Sequence, residues 1–434
     1  MGPLIHEVYG QTELKNLINY ALEHSRAVKK ADFQVEEGNF IRKEAVGYGL
    51  PQIEGSASYS KMMFEKIDID SSIYKMVSSD YYPILDQLGS IDNFNSASAG
   101  VQVTQLIYSQ AYWVGLRTAK KTQELYSILK NKSEEDVIAE VANAYYQTGS
   151  LMLQKKTLDK SIQNLKELSR IAELNFKNDL IKETEVSRLK VTITNLEVTH
   201  TTIQNGIQVQ LSYLKALAGM PLDSVIQIDT ASIIHNLDAK QMGREFTVEN
   251  VPSYQALIKQ YEVYEMQTKL SKAEYFPTLA AFGQFNYSSY STSSSFDTWN
   301  NMNTIGLNLT VPIFTSGVTN AKVKQSLLKQ KQLNEDILQT KDFLKVDYDN
   351  AFSDYQTSQK LLLVQRDNRE LAQRVYNQTL QQYQEGMASL ADLLNVNSDF
   401  LSADNSYNQQ ILKCKTSEIK MLKASGNLKL ILNK

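Results

Sequence analysis

The residue types that most often carry chemistry are few in this chain and poorly spaced for it. Of the four histidines, His6, His24 and His235 have no partner at metal-ligand spacing, and no HExxH stretch occurs. His200 falls on an apolar helical seam and reads as a packed or interfacial histidine rather than a ligand. Cys414 is the only cysteine, which excludes an internal disulfide and a cysteine-rich metal site. It too lies on a seam, where a thiol serves as a small apolar side chain. No GxGxxG, GxxxxGK(S/T) or GxSxG stretch is present. The expectation is therefore no catalytic, cofactor-binding or metal-binding residues, and no enzyme. The chemistry left is carboxylate chemistry: Asp392 and Glu185 each stand near the start of a helical stretch, where the macrodipole favours a solvated acid.

The elements that carry these acids are unusually long. The 434 residues hold only seven prolines and eighteen glycines. From Val318 to Glu385 there is neither, and between Tyr108 and Phe176 only Gly115 and Gly149 intervene. Compact domains turn every dozen residues or so and recruit these two types to do it. Helical periodicity fills the gaps. Val137, Val141, Ala144, Thr148, Leu151, Lys155 and Leu158 step by alternating fours and threes, and the pattern continues to Phe176. Val186 to Leu217, Leu344 to Leu362 and Leu390 to Cys414 do the same, which is the signature of coiled-coil packing. A helix of nearly seventy residues would be roughly 100 Å long. Thr148, Lys155, Ser169, Asn397 and Asp404 are polar at seam positions that a tight dimer would fill with Leu or Ile. Tyr145, Met152 and Leu168 flank one seam, and Phe343, Phe352 and Leu361 another. Such widened faces suit helices packed side by side in an array.

Between the long helices the period changes to two. Ala97, Ala99, Val101 and Val103 alternate with polar residues, as do Ile305, Leu307, Leu309 and Val311. Gln52–Ser60, with Ile53, Ala57 and Tyr59 on one face, precedes the first run; Thr278–Tyr287, with Leu279, Ala281, Phe285 and Tyr287, precedes the second. Each is about ten residues, the length of a tilted membrane strand. Alternation alone favours two soluble hairpins with one wet face, the commoner arrangement. Ser288–Asn303 reads as a polar connection with Tyr290, Phe296 and Trp299 placed for an aromatic girdle.

Charge and hydropathy exclude other classes. A net charge of −3 and a pI near 6.0 give no reason to expect nucleic acid. Mean hydropathy is −0.35 and no window of 18 apolar residues exists, so no transmembrane helix is expected, a test to which β-barrels are blind. The runs Lys130–Asp136 and Leu344–Asn350 read as solvated helix faces. At the N-terminus, Val8 and Gly10 fit the small-residue end of a secretory signal cleaved after Gly10, so residues 1–10 are either the remnant of a signal or a free terminus.

The chain also matches itself. NFKNDLIKETEVSRL from Asn175 aligns with QYQEGMASLADLLNV from Gln382 at an offset of 207, pairing Phe176 with Tyr383, Asp179 with Gly386 and Glu185 with Asp392. Gly219 pairs with Gly426 at the same offset, and LPQI around Pro51 aligns with FPTL around Pro277 at 226. Each half reads as helix, hairpin, very long helix, tight tip and returning helix. The expected layout is a first repeat over 11–226, with strands near 51–61 and 95–106 and helices near 109–176 and 182–218. An equatorial linker covers 227–252. A second repeat over 253–434 has strands near 277–288 and 303–312 and helices near 316–382 and 389–425.

These features resemble the TolC-like outer-membrane channels of efflux and type I secretion, over residues 12 to 432. The carriers are LPQI and YFPTL before the hairpins, LTVPIFTSG at Leu309–Gly317, the tip YQEGMASLADLL at Tyr383–Leu394, and the LAG and ASGNL ends of the returning helices. The resemblance implies a mainly α fold with membrane β: a homotrimer whose twelve-stranded β-barrel in the outer membrane continues as a periplasmic α-helical barrel. It implies a passive exit channel, fed by a periplasmic adaptor and an inner-membrane transporter of the RND, ABC or MFS class, and closed at the periplasmic helix tips. Asp392 matches an acid that rings the family's aperture, and Glu185 is its repeat equivalent. A second family acid falls at Asn395, which would weaken the ring. Tyr383 matches an aromatic that ties tips together, and Ala388 stands where a tethering Arg can occur. Asp179 replaces the tip glycine whose counterpart is Gly386, and must adopt a left-handed conformation. Two rivals remain: a non-conducting brace or adaptor, which would carry one hairpin rather than two alternating with strands, and an enzyme, which would need a pocket of clustered titratable groups.

Overall fold

The computed structural model describes residues 13–63, 70–83, 93–235, 246–291 and 296–433. The N-terminal reading of residues 1–10 lies outside them. The chain runs α1 (Leu14–His24), α2 (Arg26–Gly47), β1 (Gln52–Met63), α3 (Ser71–Met76), β2 (Asn93–Ser109), α4 (Gln110–Lys177), α5 (Glu183–Ala218), α6 (Thr230–His235), α7 (Pro252–Ala273), β3 (Thr278–Ser291), β4 (Asn300–Thr310), α8 (Val318–Gln384) and α9 (Leu390–Ala424). Among the described residues no helix is long and apolar enough to cross a membrane. Contacts divide the chain into two compact units.

One unit comprises Gly38–Gln123 and Tyr261–Gln332 and holds all four strands. They form a single antiparallel sheet in the order β1-β2-β3-β4, with β2 joining the two hairpins to each other through β3. Pro51 and Pro277 each stand one residue before a strand, and Pro312 two residues after one, where a missing N–H costs no ladder bond. The strands are 11 to 17 residues long rather than about ten, because pairing extends into segments that the sequence reads as connections. Tyr290 lies within β3, and Phe296 packs edge-on against Tyr59 at 6.0 Å.

The register separates two faces. Ile53 pairs with Val103, Val103 with Gly283 and Gly283 with Ile305, so the apolar alternate residues of all four strands share one side. Leu279 opposite Leu309 and Ala281 opposite Leu307 extend that side. The other side is polar: Ser58 and Ser98 hydroxyls meet at 2.8 Å, Ser60 and Ser96 at 2.7 Å. The apolar side is uncovered, with Ile53 71% and Ile305 86% exposed.

The other unit comprises Met1–Glu37, Glu124–Gln260 and Leu333–Lys434. Its larger core gathers Leu17 and Ile18 of α1, Ile138 and Tyr145 of α4, Leu214 of α5, Tyr348 of α8 and Ile411 of α9. The seam residues are its substance, and Thr148 among the polar ones is satisfied within its own helix. Thr148 is fully buried because its hydroxyl donates to the Ala144 carbonyl at 2.7 Å, leaving a methyl to pack. Gly149 leaves room on α4 for the Ile233 side chain, which a Cβ there would overlap.

The reading of Lys130–Asp136 as a solvated face needs correction. Glu135 is buried, and desolvation pushes its carboxyl above the ordinary range. Glu134 takes the Lys429 ammonium at 3.1 Å, and Asp136 that of Lys423 at 2.7 Å. The first run thus packs against other parts of the chain, which sequence charge counting does not register. In the second run Lys345, Asp347 and Asn350 are exposed, and the seam residue Tyr348 alone is buried.

Helix ends recur at a constant spacing. At the end of α4 the Leu180 N–H donates to Asn175 O and the Asp179 N–H to Phe176 O, both at 2.9 Å. At the end of α8 Met387 donates to Gln382 O at 2.8 Å and Gly386 to Tyr383 O at 3.1 Å. This is the Schellman pattern, closed by a residue in the left-handed region. The ends of α5 and α9 repeat it at Gly219 and Gly426.

Candidate functional site

The residues singled out as a gate lie on the helix ends that flank the two turns joining α4 to α5 and α8 to α9. Both turns are short because the chain reverses through one left-handed residue, Asp179 at φ 57° or Gly386 at φ 77°. An Asp pays a steric penalty there that Gly escapes. Asp179→Gly is therefore expected to stabilise the helical unit by about 0.5–1 kcal/mol. A denaturant midpoint that falls in this variant would contradict that account.

The returning helices begin differently. Ser389 is the N-cap of α9, and its hydroxyl accepts from the Asp392 N–H at 3.1 Å while the Asp392 carboxylate accepts from the Ser389 N–H at 3.2 Å. This reciprocal capping box satisfies two donors that the first helical turn leaves orphaned. The Ser389 hydroxyl also donates to Asp392 Oδ2 at 2.6 Å. Those side-chain and then backbone bonds hold the Asp392 carboxyl below its ordinary value of 3.8. Lys182, which caps α5, makes no such side-chain bond. Ser389→Ala should lower stability by about 1 kcal/mol. Because folding depresses the Asp392 value, the cap's contribution is complete above the ordinary carboxylate range and is lost as pH falls through the depressed one. Amide protection at residues 389–393, that is, exchange relative to the intrinsic rate at each pH, should fall across that acid window only; a loss of protection near neutral pH would refute it.

Asp392 and Asn395 are exposed, whereas Glu185 and Tyr383 are half-buried. Tyr383 packs against a second core made of Leu165 and Leu168 of α4, Val186 and Leu189 of α5, Tyr376 of α8 and Leu390 and Leu393 of α9. Burial pushes the Tyr383 phenol up, and the nearby Glu185 charge adds to the shift. The fold thus brings Glu185 of one turn into the field of Tyr383 of the other. Asp392 is turned to its own helix cap. Among the described residues no group of His, Cys, Asp and Glu is placed to hold a metal ion.

Behind the turns lies a polar cluster that the sequence shows only in outline. Asp404, 3% exposed, accepts from Arg369 Nε at 2.5 Å and from Asn408 Nδ2 at 2.9 Å. Seven residues earlier on α9, Asn397 accepts from Ser161 of α4 at 3.0 Å. The signal available beforehand was the pair of polar seam residues Asn397 and Asp404. Their partners on α8 and α4 had none.

Residues 247–427 match the outer membrane efflux protein family. The outer membrane protein TolC of Salmonella enteritidis is 22% identical over 300 residues, covering 64% of this chain; the match spans 59% of that relative's length. The pyoverdine export outer membrane protein OpmQ of Pseudomonas aeruginosa is 20% identical over 434 residues, covering 97% of this chain and 86% of OpmQ. Among solved structures, the CmeC outer membrane channel of Campylobacter jejuni superposes with a TM-score of 0.78 at 18% identity, over 96% of this chain and 86% of CmeC. The open-state MtrE channel of Neisseria gonorrhoeae gives 0.71 at 15%, over 98% and 91%.

Proposed function

We propose that the chain is a TolC-like outer-membrane efflux protein, the exit channel of a tripartite efflux pump or type I secretion system, located in the outer membrane and extending into the periplasm. It conducts passively, taking substrate from an inner-membrane RND, ABC or MFS transporter through a periplasmic adaptor. The observation that carries this reading is the four-stranded sheet. Its apolar face is bare, its other face is polar, and its edge strands β1 and β4 have no further partner in the sheet. An open edge is untenable in lipid, and a closed membrane barrel starts at about eight strands. Three copies would supply twelve, with apolar faces to lipid and polar faces to a lumen. The helical unit has a matching need, since Phe343, Leu361 and Val364 on α8 and Val191 and Val198 on α5 are exposed. The recurrence of helix ends 207 residues apart supports two structural repeats, 11–226 and 253–434, joined by the linker at 227–252.

In this reading Asp392, Asn395, Glu185 and Tyr383 line the periplasmic aperture, and Asp179 and Gly386 shape its turns. The protein reconstituted in planar bilayers should conduct, and Asp392→Ala should weaken block by multivalent cations several-fold. A water-soluble monomer without conductance would favour the brace. Conductance with unchanged block would leave the channel standing and remove Asp392 from the gate.

A further inference from the structure

A cavity of about 390 Å³ opens among α4, α8 and α9 within the helical unit, beside the Arg369–Asp404 pair. Its charge is one-sided, with Lys156, Lys160 and Arg369 against a single acid. The one carboxylate lining it, Asp404, has both oxygens engaged, by Arg369 and by Asn408. The Asn397 carbonyl oxygen is taken by Ser161, which leaves that amide its N–H donors. Lys156 and Lys160, one turn apart on the α4 rim, belong to no ion pair among the described residues. At the wall, Tyr376 is 6% exposed, and its hydroxyl is buried without a hydrogen-bond partner although its ring is well packed against Phe400. Buried hydroxyls are rarely left this way, because the group loses water and gains nothing. The cavity therefore offers unspent donors and an excess of positive charge, with its one carboxylate already engaged.

We propose that this cavity is a binding site for a small organic anion bearing carboxylate or phosphate groups. Lys156 and Lys160 supply the charge, and Tyr376 and Asn397 donate directional hydrogen bonds. The inference is independent of whether the chain conducts. Citrate and inorganic phosphate are suitable probes, with glycerol as the uncharged control, titrated calorimetrically into the full-length protein in detergent at low salt. Citrate should bind saturably and weaken as salt is raised, while glycerol should not bind. Lys156→Ala combined with Lys160→Ala should weaken binding at least tenfold, and Tyr376→Phe, which keeps the ring, several-fold. Helical circular dichroism serves as the check on folding, and bound citrate should raise the melting temperature of the parent but not of the double variant. No saturable binding of either anion at millimolar concentration, or binding that both variants leave unchanged, would overturn the proposal. Phosphate binding without citrate binding would restrict the site to phosphate groups.

Discussion

Arg369→Ala should destabilise the helical unit by about 3 kcal/mol, because it strips the counter-charge from a carboxylate that is almost wholly buried. Asp404 sits on the α9 seam with its side chain 4% exposed, and only Asn408 would remain to it. Breaking a buried pair by removing one partner typically costs about 3–5 kcal/mol. The lower end applies here because the Arg369 side chain is 31% exposed and the cavity admits some water. The converse change is expected to be milder. In Asp404→Asn the arginine can turn to solvent, and the amide keeps the shape of the seam, so the loss should be roughly 1–2 kcal/mol. Replacing both residues by leucine should recover most of the stability, since a packed apolar pair has no desolvation cost to offset. Denaturant midpoints followed by helical circular dichroism separate these cases. Equal effects of Arg369→Ala and Asp404→Asn would show that the pair contributes no more than a surface bridge.

Gly219→Ala and Gly426→Ala should each cost about 3 kcal/mol or more, well beyond the loss at Gly386. All three glycines are left-handed, at φ 74°, 69° and 77°, and an L-residue there loses roughly 1–2 kcal/mol. They differ in surroundings. A Cβ on Gly386 meets nothing within 4 Å. A Cβ on Gly219 would overlap the His24 carbonyl, and one on Gly426 the Asn250 carbonyl. Both obstacles are backbone, which cannot rotate away, so the helix end or the segment it touches must move. His24 and Asn250 stand 226 residues apart, the spacing at which LPQI aligns with FPTL, and the two collisions are therefore counterparts. Thermal unfolding of the three alanine variants would test the ranking. A Gly386→Ala loss as large as the other two would mean that backbone conformation alone, and not close approach, demands glycine at these ends.

The legible parts of the fold were those written in period. Threes and fours over Val137–Phe176 and Leu344–Leu362 marked helices, because an apolar stripe at that spacing has only one regular structure that can bury it. Alternation at Ala97–Val103 and Ile305–Val311 marked strands for the same reason. Gly386 was legible as a turn, and Asp179 as its awkward counterpart, since few L-residues tolerate positive φ. Less was legible where meaning depends on a distant partner. Glu135 looked like part of a solvated charge run, and burial by remote segments reversed that reading. Asp404 looked like a flaw in a seam until Arg369, 35 residues earlier, was found beside it. The reach of the strands beyond ten residues was hidden too, because Asn and Ser in Ser288–Asn303 say nothing of how far a ladder can run.

By itself the sequence determined the element types, their great length, the two faces of the strands and the self-similarity of the halves. All of these follow from local sterics and from the need of each element to hide one face. Only the tertiary structure decided the joining of the hairpins through β2 and β3, the tying of Asp392 to its own helix cap, the approach of Glu185 to Tyr383, and the gathering of Arg369, Asp404 and Tyr376 around one cavity. Side chains far apart in sequence acquire their electrostatic surroundings only when packing removes the water between them.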